Sequence, residues 1–132
     1  MKIVGIVGVI GIIVVAVLLL SRGSAVAFDE ITEKELKEKM AKVGITILDV
    51  RENDEVANCK IPKSINIPLA EVNRRFKELD PQKETVVYCA AVIRSARASK
   101  ILDGAGFKNV KNLKGGMRNW AASGGAVEGP CK

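Results

Sequence analysis

The chain has 132 residues, three of them cysteine, and no histidine. That length holds one domain and hardly more, and the missing histidine excludes a Ser-His-Asp triad, a Cys-His pair and a His-ligated zinc site. The formal net charge is +6, but acids and bases are interspersed, which describes a solvated surface rather than a nucleic-acid patch. Three cysteines without CxxC spacing make no metal site, so neither a metal nor a cofactor is expected.

Lys2 is followed by Ile3–Leu20, 18 residues without a charge or a polar side chain. At about 1.5 Å per residue such a helix spans roughly 27 Å, close to a bilayer core, and nothing in it offers the polar face of a packed surface helix. Ala25-Val26-Ala27 then has the small-x-small form of a cleavage site. Residues 1–27 read either as a membrane anchor, held through residues 3–20, or as a signal peptide cleaved near Ala27. Both readings export the rest of the chain, to the periplasm or another extracytoplasmic space. Residues 28–132 form the folded domain. Removing Lys2 and Arg22 from the 21 basic residues leaves 19 against 15 acids there.

Phe28-Asp29-Glu30-Ile31 reads as a short strand or lead-in. Thr32-Glu33-Lys34-Glu35 has the capping-box form and opens a helix with Leu36 and Met40 on one face, stopped by Gly44. Ile45–Val50 is apolar nearly throughout, as expected of a strand buried on both faces. Arg51–Val56 turns into a short helical segment, which Ile61-Pro62 breaks. Ser64–Pro68 is a short strand whose terminal proline suits a sheet edge. Leu69–Leu79 carries Leu69, Val72, Phe76 and Leu79 on one helical face, and Asp80-Pro81 ends it. Thr85–Tyr88 is a strand, Ala96–Leu102 a helix ended by Gly104, Val110–Leu113 a strand, and Met117–Ala122 a last helix opened by Gly115-Gly116. Strands alternate with helices five times. The fold class is therefore α/β, an about five-stranded parallel sheet with helices on both faces.

Cys89 stands directly after the strand Thr85–Tyr88 and before a helix. Ligands bind at that end of the strands in open α/β sheets, and loop amides with a helix dipole stabilise an anion there, a thiolate included. Cysteine is also a small residue often buried for packing alone. Arg94, five residues on, brings a positive charge to the same loop and favours the nucleophile.

Several segments stand in an order and spacing that resemble the rhodanese-like single-domain family. They are Ile47–Glu52, Glu55, Ile61–Pro68, Val86-Val87-Tyr88-Cys89, Arg94–Ala98, Gly104–Phe107, Asn112-Leu113, Gly115-Gly116 and Trp120, within a stretch from Ile31 to about Val127. The resemblance implies sulfurtransferase chemistry. A Cys89 thiolate takes the outer sulfur of a sulfane donor such as thiosulfate, becomes a persulfide, and passes the sulfur to a thiol or cyanide acceptor. The amides and side chains of Ala90, Ala91, Val92, Ile93, Arg94 and Ser95 would hold the anion. Related phosphatases and arsenate reductases place five residues between Cys and Arg; four stand here, the sulfurtransferase length. Three departures bear on activity. Val92 replaces a frequent glycine and resists positive φ. Ala90–Ile93 is apolar where the family often carries polar or basic residues, so weak thiosulfate turnover is expected. Cys59-Lys60 replaces the family's Gly-His before Ile-Pro.

Asp49 and Arg51 belong either to the pocket rim or to the structure, with Asp49 capping the turn and Arg51 pairing with Glu55; the structural reading is favoured. Gly115-Gly116 either lends amides to the pocket or makes room for a helix start. Trp120 is read as core, and Ser95 as a helix cap that can also donate to the thiolate. Cys59 precedes the third strand and Cys131 follows the last helix. Both are therefore expected at the strands' amino ends, opposite Cys89, where an oxidising compartment would allow a disulfide. The resulting expectation is an exported, membrane-tethered monomer, with no nucleic-acid partner and Cys89 as its persulfide-forming nucleophile. Its rivals are a sulfur-carrier or redox-partner module that does not turn over, and a protein-binding module.

Overall fold

The two five-residue strands pair along their whole length at the centre of the sheet. In a computed structural model, which describes residues 29–42 and 44–132, β2 (Ile45–Asp49) and β4 (Glu84–Tyr88) lie parallel, from Ile45 opposite Glu84 to Asp49 opposite Tyr88. β5 (Val110–Leu113) flanks β4, and the two-residue strands β1 (Glu30–Ile31) and β3 (Ile65–Asn66) form the edges. The order is β1-β5-β4-β2-β3, five strands, all parallel. Short edge strands limit the row of unpaired backbone groups that would invite another chain.

Side chains alternate across the strands, so each face of the sheet needs its own cover. Val86 and Tyr88 pack with Leu36 of α1 (Glu33–Met40) and with Met117 and Trp120 of α5 (Gly116–Ala122). Val87 and Cys89 point the other way. They pack with Val72 of α3 (Leu69–Arg75) and with Ala98 and Leu102 of α4 (Ile93–Gly104). The capping box at Thr32 is present: its hydroxyl accepts from the Glu35 amide, and the Glu35 carboxylate accepts from the Thr32 amide.

Several boundaries differ from those expected, each for a local reason. α2 runs over Asn53–Asn58 rather than Arg51–Val56, because Glu52 and Glu55 form a capping box that sets its start. α3 is α-helical to Arg75 and tightens into a 3-10 turn over Phe76–Glu78. α4 begins at Ile93, one residue after Val92 and three before Ala96. Among the described residues no helix is long and apolar enough to cross a membrane. The apolar run 3–20 and the Ala25–Ala27 site lie outside the described residues.

Cys59 and Cys131 are joined in a disulfide, but not at the strands' amino ends. β3 pairs only with Leu48 and Asp49, the last two residues of β2. The lead-in to β3 approaches the amino end only at Lys63, which lines a pocket with Gly44 and Ile45; Cys59, four residues earlier, does not. The Cys59 carbonyl accepts from Arg51 Nη2 at 2.6 Å, and the Ile61 amide donates to the Tyr88 hydroxyl at 3.1 Å, both at the carboxyl end. The C-terminal tail follows it there. Lys60 and Glu128 exchange two backbone bonds of 2.9 Å, and the Cys131 amide donates to the Asn58 carbonyl at 2.8 Å.

Candidate active site

Cys89 ends the central strand with its side chain on the α4 face, 2 % exposed. Its Sγ lies 3.4 Å from Ser95 Oγ, and Ser95 Oγ donates to the Val92 carbonyl at 3.1 Å. The hydroxyl thus accepts from the thiol while its own proton is on Val92; toward a thiolate it can turn and donate. Cys89 is the one free cysteine among the described residues.

The loop above the sulfur is oriented by α5. The Met117 amide donates to the Cys89 carbonyl at 2.8 Å, and the Arg118 amide to the Ala90 carbonyl at 3.1 Å. With those carbonyls drawn toward α5, none of the six amides from Ala90 to Ser95 donates to an acceptor among the described residues. Three of them, those of Ile93, Arg94 and Ser95, open the 12-residue helix α4, whose N-terminus adds partial positive charge. Val92 takes φ −146°, so the loop closes without a positive φ at that position. The valine in place of a frequent glycine requires no left-handed backbone here.

Gly116 has φ +58°, and a Cβ on it would stand 2.5 Å from the carbonyl oxygens of Cys89 and Ala91. The glycine permits this contact between α5 and the loop. Neither expected role for Gly115-Gly116 is the whole of it, since the amides of Met117 and Arg118, directly after them, bond loop carbonyls.

Arg94 is not a free cation. Its Nη1 and Nη2 donate to Glu55 at 2.6 and 2.9 Å. The guanidinium, with the Glu52 amide, holds the Glu55 carboxyl down at about 2 against partial burial, and Glu55 in turn raises Arg94. The loop's apolar side chains face outward, with Val92 44 % and Ile93 67 % exposed.

Asp49 and Arg51 form their own buried pair, with Arg51 Nη2 2.7 Å from Asp49 Oδ2 and the Arg51 amide 3.0 Å from Oδ1. Arg51 therefore pairs with Asp49, not with Glu55 as expected. Asp49 aligns with Tyr88 on the face opposite the Cys89 side chain. The Arg51 guanidinium stacks 5.5 Å from the Tyr88 ring, and burial pushes the Tyr88 phenol up. Arg51, Cys59, Ala90, Met117, Arg118 and Cys131 line part of a cavity of about 340 Å3 on that face. Trp120 is core, 1 % exposed, with Nε1 donating to the Ala126 carbonyl at 2.8 Å. Among the described residues no cluster of His, Cys, Asp and Glu could hold a metal ion.

A free cysteine at the carboxyl end of the central strand, followed by a loop of unpartnered amides that opens a helix, defines an α/β protein with a thiol at a helix start. The sequence model of the Rhodanese-like domain family matches residues 32–123, and the chain belongs to that family. It is 40 % identical over 92 residues to "Putative sulfurtransferase YtwF" of Bacillus subtilis (strain 168), covering 69 % of this chain and 88 % of that protein. It is 37 % identical over 101 residues to "Putative sulfur carrier protein YrkF" of the same strain, covering 76 % of this chain but 55 % of that longer protein. The crystal structure of a rhodanese-related protein from Thermoplasma volcanium superposes with a TM-score of 0.71 at 35 % identity, over 76 % of this chain and 98 % of that one. Family and relatives support a function of the sulfurtransferase type.

Proposed function

We propose that the protein moves a sulfane sulfur from a donor such as thiosulfate to a thiophilic acceptor through a persulfide on Cys89. The observation that carries this reading is the free thiol 3.4 Å from Ser95 Oγ, at the start of a loop whose six amides meet no acceptor among the described residues. The thiolate attacks the outer sulfur of the donor. The donor's sulfur–sulfur bond breaks and its electron pair leaves with sulfite. The persulfide on Cys89 is again an anion, suited to the same amides. An acceptor nucleophile attacks the terminal sulfur and releases the Cys89 thiolate. Such exchange depends on thiolate character, access and the leaving group, and needs no histidine.

A sulfur-carrier reading is favoured by one observation, the similarity to a protein named as a putative sulfur carrier. The Cys59–Cys131 disulfide agrees with an oxidising, extracytoplasmic compartment, as the apolar run 3–20 does. Thiocyanate formation from thiosulfate and cyanide tests the enzyme reading. Wild type is expected to form it and Cys89→Ser to form none. Equal rates for the two would remove Cys89 from the chemistry, and a Cys89 sulfur adduct without thiocyanate would favour the carrier.

A further inference from the structure

The active loop's arginine meets a fixed countercharge. Glu55 is the third residue of α2, and its Oε2 accepts from the Glu52 amide at 2.9 Å as well as from Arg94. The Glu55–Arg94 pair ties the first turn of α2 to the first turn of α4. Their side chains are 33 % and 31 % exposed. A two-point carboxylate–guanidinium contact fixes geometry as well as charge. Beside the Cys89 loop the pair is a dipole, where a lone arginine would be a full positive charge.

Sulfane donors differ in charge at the reacting end. Thiosulfate is a compact dianion. An organic persulfide, R–S–SH, carries at most one charge on its transferable sulfur. Loop amides and a helix N-terminus supply partial charges suited to one anionic sulfur. A second full charge calls for the guanidinium, and Glu55 opposes it.

We propose that Glu55 is a specificity-determining residue: by holding and neutralising Arg94 it makes the site favour an organic persulfide donor over dianionic thiosulfate. This rests on the assignment of Cys89 as the sulfur-accepting nucleophile. The outward Val92 and Ile93 side chains suit an organic carrier better than a small inorganic ion. In the transfer, the Cys89 thiolate attacks the outer sulfur of R–S–SH. The Cys89–sulfur bond forms and the donor's sulfur–sulfur bond breaks. The electron pair leaves on R–S⁻, and the proton stays on the transferred sulfur or passes to water.

The test compares wild type, Glu55→Gln and Arg94→Met, each offered thiosulfate or hydroxyethyl persulfide. The rate at which Cys89 gains one sulfur is read by intact mass spectrometry at low and high salt. Glu55→Gln keeps an acceptor for the Glu52 amide but frees the Arg94 charge. It is expected to load from thiosulfate about tenfold faster, the effect of one charge at a partly exposed site, and the gain shrinks with salt. Loading from hydroxyethyl persulfide stays within about twofold, since that sulfur carries at most one charge. Arg94→Met, which leaves the Glu55 charge uncompensated, is expected to slow thiosulfate more than the persulfide. If Glu55→Gln does not fold, Glu55→Asp takes its place; its shorter side chain loosens the two-point contact, and a smaller gain with thiosulfate alone is expected. Equal changes for both donors, or no thiosulfate gain in a folded Glu55→Gln, would overturn the role of Glu55. Wild type that loads from neither donor would overturn the Cys89 assignment and this proposal with it.

Discussion

Gly116 lies so close to the Cys89 loop that a side chain there has no room, a Cβ falling 2.5 Å from the Cys89 carbonyl oxygen and 2.9 Å from the Ala90 carbonyl carbon. Both obstacles are backbone, so the loop itself must shift. Gly116→Ala is expected to cost about 2–3 kcal/mol, from positive φ plus displacement. Because α5 draws the loop carbonyls away from the sulfur, the variant should also load sulfur at least about tenfold more slowly, for a small misplacement of positioned groups. Urea unfolding and the loading rate read the two effects. Native loading in a folded variant would show that α5 does not position the loop.

Ser95 is fully buried and bonds both Cys89 and the Val92 carbonyl. Ser95→Ala removes the hydroxyl that can turn to a thiolate. Stability should fall by about 1 kcal/mol. Alkylation of Cys89 by iodoacetamide near neutral pH should slow several-fold, if the hydroxyl favours the charged form. An unchanged alkylation rate would leave Ser95 as a helix-start residue only.

The Cys59–Cys131 disulfide closes a loop with a sequence separation of 72. Loop entropy assigns such a closure about 4 kcal/mol, less any native strain. The Cys59→Ser, Cys131→Ser double variant is expected to lose about 2–4 kcal/mol in urea unfolding, while sulfur loading on Cys89 persists. Cys59 belongs to the cluster on the α5 face and Cys89 to the other. Loss of loading in a folded double variant would contradict that separation.

Glu55 has its pKa lowered from 4.5 to about 2 by Arg94 first, then by the Glu52 amide, against partial burial. A depressed carboxyl stabilises the fold fully above its unfolded value and loses that contribution as pH falls through the folded one. The stability gap between wild type and Glu55→Gln should therefore be constant near neutral pH and close as pH falls from 4.5 toward about 2. Urea midpoints measured across that range check this. A gap that persists unchanged at the acid end would mean that the carboxylate charge is not what stabilises.

Much of the fold was legible because β2 and β4 are largely apolar runs between clear helix stops, and because Cys89 directly follows one of them. The Thr32 capping box marked α1 in the same way. What could not be read was pairing across elements. Arg94 and Glu55 are 39 residues apart, and the only hint was an acid in the first turn after β2, at the end of the sheet where Arg94 also lies. Arg51 had two acids in reach, and the nearer, Asp49, took it because both are buried together. Cys59 was misplaced because the length of β3 decides where its lead-in lies, and a two-residue strand leaves little trace in a sequence. The contact of Gly116 with the loop was half visible: the double glycine signalled a close approach without naming the neighbour.

The most direct measurement is intact mass spectrometry of the protein, wild type and Cys89→Ala, after incubation with thiosulfate or an organic persulfide and again after cyanide. A persulfide on Cys89 predicts a gain of one sulfur in wild type, its removal by cyanide, and no gain in Cys89→Ala. A wild-type protein that gains no sulfur from either donor, or a Cys89→Ala variant that gains it equally, would contradict the assignment.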